Sequence, residues 1–420
     1  MTETDNWSTD VCVIGGGPAG LTLALLLARS GVAVTVVEKS SSFDREYRGE
    51  ILQPGGLAVL DQLGVLAAAR GRGSHVHDRF QLYSGGRAVL WVDYKALPGA
   101  YNYMLALPQQ HILAELLARC EQLPGFRYLA GTKITELVTE GGAVRGAVVT
   151  GPSGRTVVRA RCVVGADGRF SKTRQLSGVP YDRRDVFDFD LLWFKVPIQG
   201  DPPRAVTIRG GGGRMLVHYG APPGVQVGWA LPHGGYKQLA AQPFGQFRDD
   251  LCRAAPEYAD GIREHVRALK DLSLLDVFCG TAREWARDGL LFIGDAAHTH
   301  SPLGAQGVNL ALQDAVLAHP VLLRALAQAA ESGPEAVVTA AALADYTGPR
   351  TADIGRVIKF QQLQAKGALG SGSRFADAAK RTMASIVHHT PIGTRLTRMV
   401  AFGNPAARVR ADLYTTAATT

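Results

Sequence analysis

The stretch VIGGGPAGLTLALLLARSG, residues 13–31, decides the fold. It contains Gly15-x-Gly17-x-x-Gly20. DVCVIGG, just before it and overlapping its start, reads as a short buried strand. PAGLTLALLLARSG reads as a helix stopped by Gly31. VAVTVVEKS follows as a second strand, rich in β-branched residues and ending at Glu38. Both strands are nearly continuous in apolar residues, as in a parallel sheet covered on both faces. In such a β-α-β unit Gly15 permits the tight turn. Gly17 lets the backbone approach a pyrophosphate, and Gly20 lets helix and strand pack closely. The helix N-terminus, at Pro18 and Ala19, offers free N–H groups and a positive dipole end to phosphate. Glu38, beside Lys39, is placed to accept hydrogen bonds from a ribose diol. The unit alone accommodates either a nicotinamide or a flavin dinucleotide. Its carboxylate disfavours a 2′-phosphate.

The 420 residues suggest two or three domains. A net charge of +8 is scattered along the chain without blocks, so no nucleic-acid partner is expected. Five widely spaced cysteines form no C-x-x-C pair, which argues against a disulfide framework or a cysteine zinc site and fits a cytoplasmic protein. The opening MTETDNWSTD is too polar for a signal peptide. The longest apolar run, Ala19 to Ala28, reads as a buried helix, so membrane contact is not expected.

Residues 55–69 and 109–123 read as helices. Residues 126–165 turn often and suggest a small antiparallel unit returning to a core strand, CVVGADG. From 181 to about 275 the chain reads as a second, mostly β domain, with Gly210 to Gly213 as a turn. The core pattern resumes at RDGLLFIGDAAH, followed by a helix from about 308. Residues 351–420 read as mostly helical, broken at KGALGSGSR. The basic, apolar RTMASIVHHTPIGTRLTRMV, from residue 381, reads as a helix covering the core.

Two further motifs place an aspartate after a strand. They are VVGADGRFSKTRQLSG (163–178) and LLFIGDAAHTHSPLGAQGVNLALQDA (290–315). In this order, the glycine loop, GADG and GDAAH…P-x-G-x-x-G-x-N resemble the single-component FAD-dependent aromatic hydroxylases of the p-hydroxybenzoate hydroxylase type, over roughly residues 10 to 350. The resemblance implies an α/β fold. A discontinuous Rossmann-type FAD-binding domain would take residues 1–75, 105–180 and 275–350. A mostly β substrate domain would take 76–104 and 181–274, and a helical C-terminal region 351–420. It implies that Gly15, Gly17, Pro18, Ala19, Gly20, Glu38 and Lys39 hold the adenosine end of FAD. Arg48 and Gln109 match flavin-contacting positions, with Arg48 otherwise a surface ion-pair residue and Gln109 otherwise a helix cap. Asp167 and Gly168 match an Asp-Gly pair serving FAD and NAD(P)H. Asp295 matches the ribityl-binding aspartate, or else caps a helix. Pro302, Gly304, Gly307, Val308 and Asn309 match the loop against the isoalloxazine ring.

The chemistry implied is that of the cofactor. NADH or NADPH reduces FAD, O2 adds at flavin C4a, and the hydroperoxide passes one oxygen atom to an aromatic or polyketide-like small molecule. Pro302 and His300 would be the catalytic positions, with His300 a base of near-neutral pKa for a phenolic substrate. Tyr83, Trp91, Trp193, Phe194, Tyr219 and Trp229 are candidate substrate walls. Arg169, Lys172 and Arg174 are candidates for NAD(P)H phosphates or for solvated surface charge. His298-Thr-His300 lacks further ligands at metal spacing, so no metal is expected. The resemblance leaves the chain a monomer or a homodimer. Other readings are a flavin-dependent halogenase, for which VGWALP (227–232) supplies half a signature, a geranylgeranyl-reductase-like enzyme, and a noncatalytic flavin-binding protein sheltering a biosynthetic intermediate.

Overall fold

The computed structural model describes residues 5–44, 50–211, 214–369 and 391–415. At its centre lies a parallel sheet. The Asp5–Ile14 strand pairs with Val34–Val37 on one side and Gly154–Gly165 on the other. Phe126–Leu129 extends the sheet beyond Val34–Val37, and Leu290–Phe292 extends it beyond Gly154–Gly165. Val11 to Val13, Val34, Val36 and Cys162 to Val164 are fully or almost fully buried, as both-face coverage requires. The Pro18–Arg29 helix is apolar all round, with Ala19 to Ala28 continuously buried. It packs between the sheet and the Gly307–Glu331 helix. That second helix is long and apolar enough to cross a membrane, but 72% of its apolar window is packed inside the protein. The antiparallel Lys133–Glu140 and Ala143–Gly151 strands hang from Gly154–Gly165, the turn-rich unit expected there.

A second, seven-stranded sheet runs Ser273–Leu275, Phe189–Pro197, Gly224–Pro232, Arg214–Ala221, Ala205–Gly211, Arg79–Ser84, Arg87–Asp93. One face looks towards the first sheet. The other is covered by Phe244–Ala254 and Ala259–His265, which bury Phe247, Leu251 and Ile262 against Leu192, Phe194 and Trp229. This helical layer is absent from the mostly β expectation for 181–274. Its pattern is short and interrupted by Pro243 and Pro256, which hides it in the sequence. Gly210 and Gly211 pair as strand residues with Met215 and Arg214, rather than forming a turn. Gly212 and Gly213 lie outside the described residues. The expected 55–69 helix is two helices, Pro54–Gln62 and Leu66–Gly71, parted at Gly64, whose φ of +74° interrupts helical geometry.

The chain's C-terminal part returns as the Ala344–Leu369 and Pro391–Phe402 helices. The helix therefore continues into the expected break at 366–374, whose later residues lie outside the described ones. Phe360, Leu363, Leu396, Thr397 and Val400 face the space between the two sheets. This region roofs the site rather than merely covering the core.

Candidate active site

One cavity of about 860 Å³ runs between the two sheets. It lies towards the upper end of ordinary ligand clefts, roughly 300–1,000 Å³. Gly15, Gly17, Pro18, Ala19, Glu38 and Lys39 line it. Gln109, Asp167, Gly168, Asp295, His300, Pro302, Gly304, Gly307 and Val308 line it too. Residues up to 293 positions apart thus share one wall: Gly15, Glu38, Asp167 and Asp295 lie just beyond the C-terminal ends of parallel strands, while Gln109 and the His300–Val308 segment follow short antiparallel strands.

The glycine loop has the geometry its spacing anticipates. Gly15 has φ +113° and donates its N–H to the Val37 carbonyl, 2.8 Å. A Cβ on Gly20 would lie 1.9 Å from the Gly15 carbonyl oxygen. Gly20 therefore sets the helix–strand approach and does not itself line the cavity. A Cβ on Gly17 would meet nothing within 4 Å, because that position faces the cleft. The helix behind it has no side-chain cap and no acidic residue in its first turn, so its orphan N–H groups remain available for an anion. Glu38 accepts from the N–H groups of Gly16 (2.7 Å) and Ser40 (2.9 Å), which fixes its carboxylate at the cavity wall. The Gly307–Glu331 helix likewise points an N-terminus without side-chain cap or acid at the same space.

Asp167 turns its carboxylate inward on its own loop. It accepts from the Ser171 hydroxyl (2.5 Å) and from the Thr173 N–H (2.9 Å) and hydroxyl (3.0 Å). Asp295 lies 3.5 Å from Arg169 Nε and has no capping bond. Arg174 is buried, donates to the Ala296 and Arg169 carbonyls and stacks on Tyr181. It is a structural residue, not a surface cation for NAD(P)H. Arg169 is tied to the Asp276 carbonyl, while Lys172 is exposed on the rim. Gln109 opens the Gln109–Cys120 helix at the wall. Arg48 lies outside the described residues.

The Pro302–Val308 loop is held by residues without a sequence signature. Gln53 Nε2 donates to the Gly304 carbonyl (2.9 Å), and Gln53 Oε1 accepts from Tyr94 Oη (2.9 Å). Asn309 does not face the cavity. Its Oδ1 accepts from the Gln53 N–H and its Nδ2 donates to Ala305. Gln361 bridges the Ser301 and Leu303 backbone. Ala305 takes φ +50°, a left-handed conformation that costs a non-glycine residue about 1–3 kcal/mol and is characteristic of functional loops.

His300 lines the cavity, as expected, but not as a near-neutral base. Burial and the neighbouring His298 hold it well below the usual histidine range, so it is uncharged at neutral pH. Its Nε2 lies 2.6 Å from His298 Nδ1, and its Nδ1 has no partner. His298 Nε2 lies 2.7 Å from Asp314, which also accepts from Arg350 Nε (2.6 Å) and the Gly294 N–H (2.7 Å).

Of the aromatic wall candidates, Trp193 and Tyr219 line the cavity. Tyr83, Trp91, Phe194 and Trp229 do not. Strand alternation explains each case. Phe80 and Leu82 point in, so Tyr83 points out; Leu90 and Val92 point in, leaving Trp91 44% exposed on the outer side. Phe194 and Trp229 pack under the helical layer, Trp229 edge-on to Phe247. The half-signature VGWALP thus puts its tryptophan away from the cavity.

A dinucleotide suits this donor set, with glycine clearance at Gly17, two uncapped helix ends and the Glu38 carboxylate in one cleft. The comparisons agree. Residues 8–339 match the family model described as FAD binding domain. The chain is 51% identical over 411 residues to a 6-methylpretetramide 4-monooxygenase of Streptomyces rimosus, covering 98% of this chain and 96% of that one. It is 30% identical to protoasukamycin 4-monooxygenase of Streptomyces nodosus subsp. asukaensis, covering 87% and 91%. Among solved structures, Pseudomonas aeruginosa PqsL in complex with 2-aminobenzoylacetate superposes with a TM-score of 0.75 at 24% identity, covering 91% of this chain and all of that one. The OxyS anhydrotetracycline hydroxylase of Streptomyces rimosus gives 0.71 at 21% identity, covering 94% and 76%. The chain belongs to the FAD-binding flavoprotein monooxygenases and is a single-component, FAD-dependent aromatic hydroxylase.

Proposed function

We propose that this monooxygenase hydroxylates a polycyclic phenol of the polyketide class, the kind of substrate named for its 51%-identical relative. One observation carries the reading beyond that likeness. The seven-stranded sheet presents Phe80, Leu82, Leu90, Val206, Ile208 and Met215 to the cavity, and no charged side chain among the described residues. A small aromatic acid would leave its carboxylate against an apolar wall, at a cost of several kcal/mol. A broad uncharged ring system would instead bury apolar area there, worth about 25 cal/mol per Å². Trp193 Nε1 is a buried donor without a partner, suited to a carbonyl or hydroxyl oxygen on such a substrate.

FAD, reduced by NAD(P)H, supplies the oxygen chemistry when bound. The chain's residues bind, orient and exclude water. Gly15 to Ala19 and their helix end take the pyrophosphate, and Glu38 takes the adenosine ribose. Asp295, acceptor-only when ionised, takes the ribityl hydroxyls. The Pro302–Val308 loop and the helix that follows meet the ring with backbone N–H groups and a positive dipole end. Gln53, Asn309 and Gln361 keep that loop from relaxing. Phe360, Leu396 and Val400 close the cavity from above, keeping water away. His300 Nδ1 takes the proton of the substrate hydroxyl. The five cysteines are all buried and free, which supports a reducing cytoplasmic setting.

The test is a panel of anthracene- and tetracene-type phenols alongside hydroxybenzoates, scored for stimulated NAD(P)H oxidation and for product heavier by one oxygen atom. Polycyclic phenols are expected to stimulate and to be hydroxylated. Turnover confined to single-ring acids would overturn the substrate reading.

A further inference from the structure

We propose that Asp314 and His298, anchored by Arg350, form a buried proton relay that makes His300 a one-sided base facing the substrate cavity. The inference rests on the reading that a phenolic substrate lies beside His300.

The hydrogen bonds dictate where the protons are. Asp314 is fully buried and held well below the usual carboxylate range, chiefly by His298 and Arg350 against the opposing effect of burial. It is therefore an acceptor only. Its Oδ1 accepts from Arg350 Nε and its Oδ2 from the Gly294 N–H, so the group facing Oδ2 from His298 is Nε2–H. The relay takes His298 with a single ring proton, on Nε2, which leaves a lone pair on Nδ1. His300 Nε2, 2.6 Å away, must be the donor in that contact. A neutral His300 with its proton on Nε2 has its lone pair on Nδ1, a buried ring nitrogen without a partner on a residue that lines the cavity. Each tautomer is set by the next group along, and the chain ends in an acceptor at a cavity-lining residue.

The relay also determines where charge goes. When a substrate O–H breaks, its proton forms a bond to His300 Nδ1. The Nε2 proton of His300 moves to His298 Nδ1. The positive charge then rests on His298, against Asp314, and the phenolate stays in the cavity. His300 alone, buried beside a second imidazole, is a poor site for that charge, and the carboxylate one ring further back relieves it. The same Asp–His orientation logic operates wherever a carboxylate fixes an imidazole tautomer. The surroundings are consistent. Trp285 stacks on His298 with ring centroids 4.9 Å apart and an interplanar angle of 31°. Arg350 also donates to the Leu310 carbonyl and lies 3.8 Å from Asp353. The other groups facing the pair are Arg169, which disfavours charge on His300, and Tyr346, whose phenol is held protonated by burial. His300 is thus the residue that meets substrate. His298, Asp314 and Arg350 are positioning residues.

Two measurements on the holoenzyme test this separately from the substrate reading. In ring-15N-histidine-labelled protein without substrate, the resonances lost in His300→Gln should report Nε2 protonated and Nδ1 bare at neutral pH. A far-downfield N–H proton should mark the His298–His300 contact and shift in Asp314→Asn. A protonated Nδ1 on His300, or resonances unmoved by Asp314→Asn, overturns the relay whatever the substrate is. The second measurement is kcat against pH with a polycyclic phenol from the panel. Asp314→Asn and His298→Asn should each lower kcat at least tenfold at pH 7 and leave KM within about threefold, and Asp314→Asn, which removes the carboxylate that stabilises the imidazolium, should move the rising limb to lower pH by a unit or more. Asp314→Glu should restore part of the rate. An unmoved limb in Asp314→Asn, or an unlowered kcat in His298→Asn, overturns the relay. A panel without any accepted phenol sinks the substrate reading while the labelled-histidine measurement still decides the relay. Should Asp314→Asn fail to fold, His298→Asn, which keeps the Asp314–Arg350 pair, carries both arms.

Discussion

Two alanines in one loop separate building the turn from opening it to the cofactor. In Gly20→Ala the new Cβ would stand 1.9 Å from the Gly15 carbonyl oxygen and 3.2 Å from Val13 Cγ1. That carbonyl must retreat by about 1 Å to reach even the tightest normal contact. It has little room. Gly15 is tied to Val37 on one side and lies against the Ala166 backbone on the other, where a Cβ would stand 2.4 Å from the Ala166 oxygen. Overpacking of this kind costs about 1–3 kcal/mol. With an unfolding entropy of about 2.1 cal/mol/K per residue over 420 residues, 3 kcal/mol lowers the melting temperature of the flavin-free protein by about 3 °C. Gly17→Ala differs at one point only. Gly17 has φ −83°, accessible to alanine, and open space around its Cβ position. The flavin-free protein should melt within about 1 °C of the parent, allowing for a small N-cap cost. Its methyl group, however, occupies the approach to the pyrophosphate. Loss of one hydrogen bond to a charged group, about 1.5–3 kcal/mol, weakens FAD binding about 10- to 100-fold. Gly20→Ala should lose both stability and FAD affinity. Thermal melts of deflavinated protein and fluorescence titration with FAD read the two quantities independently. Equal melting losses in the two variants, or parental FAD affinity in Gly17→Ala, would refute the assignment of the loop.

Three other outcomes follow from the same geometry. Trp193→Ala should raise KM for the aromatic substrate as well as costing stability, whereas Trp229→Ala, which hollows out the helical layer, should cost about 3–5 kcal/mol and leave KM alone; a KM effect in Trp229→Ala and none in Trp193→Ala would contradict the strand register. His319, on the Gly307–Glu331 helix, is buried, hydrogen-bonded to Ser30 Oγ at the end of the Pro18–Arg29 helix, and pushed down to about 4, mainly by burial. The unfolded chain takes up this proton first, so stability falls as pH drops from about 6.5 to about 4, and His319→Gln should flatten the urea-derived stability slope there by about 1.4 kcal/mol per pH unit. His77 and His218, also lowered by burial, keep part of the slope in place. Gln53→Ala removes the bridge between Gly304 and Tyr94, and should weaken FAD retention and slow turnover while changing the melt by no more than about 2–3 kcal/mol; unaltered flavin retention would remove Gln53 from the loop's support.

The geometry of the glycine loop was legible in the sequence because it is local. A tight turn, a close helix–strand approach and a carboxylate at a strand end each require particular residues at fixed spacing, and Gly15, Gly17, Gly20 and Glu38 supply them. Asp295 and the Pro302–Val308 loop came only from the resemblance, and the fold brings both to the same cavity. The substrate half was not legible. Whether Tyr83 or Leu82 faces the cavity depends on sheet register, and a shift of one residue exchanges the two faces. Only the folded sheet turns Trp193 inward and Trp229 outward. The proton relay lay further still from sequence reasoning. Arg350 and Gln53 carry no motif of their own; Arg350 meets Asp314 because the Ala344–Leu369 helix packs on Gly307–Glu331, and Gln53 reaches the Pro302–Val308 loop from the start of the Pro54–Gln62 helix. Local stereochemistry is written in neighbouring residues, whereas the burial that makes His300 an uncharged acceptor is a property of the packed interior.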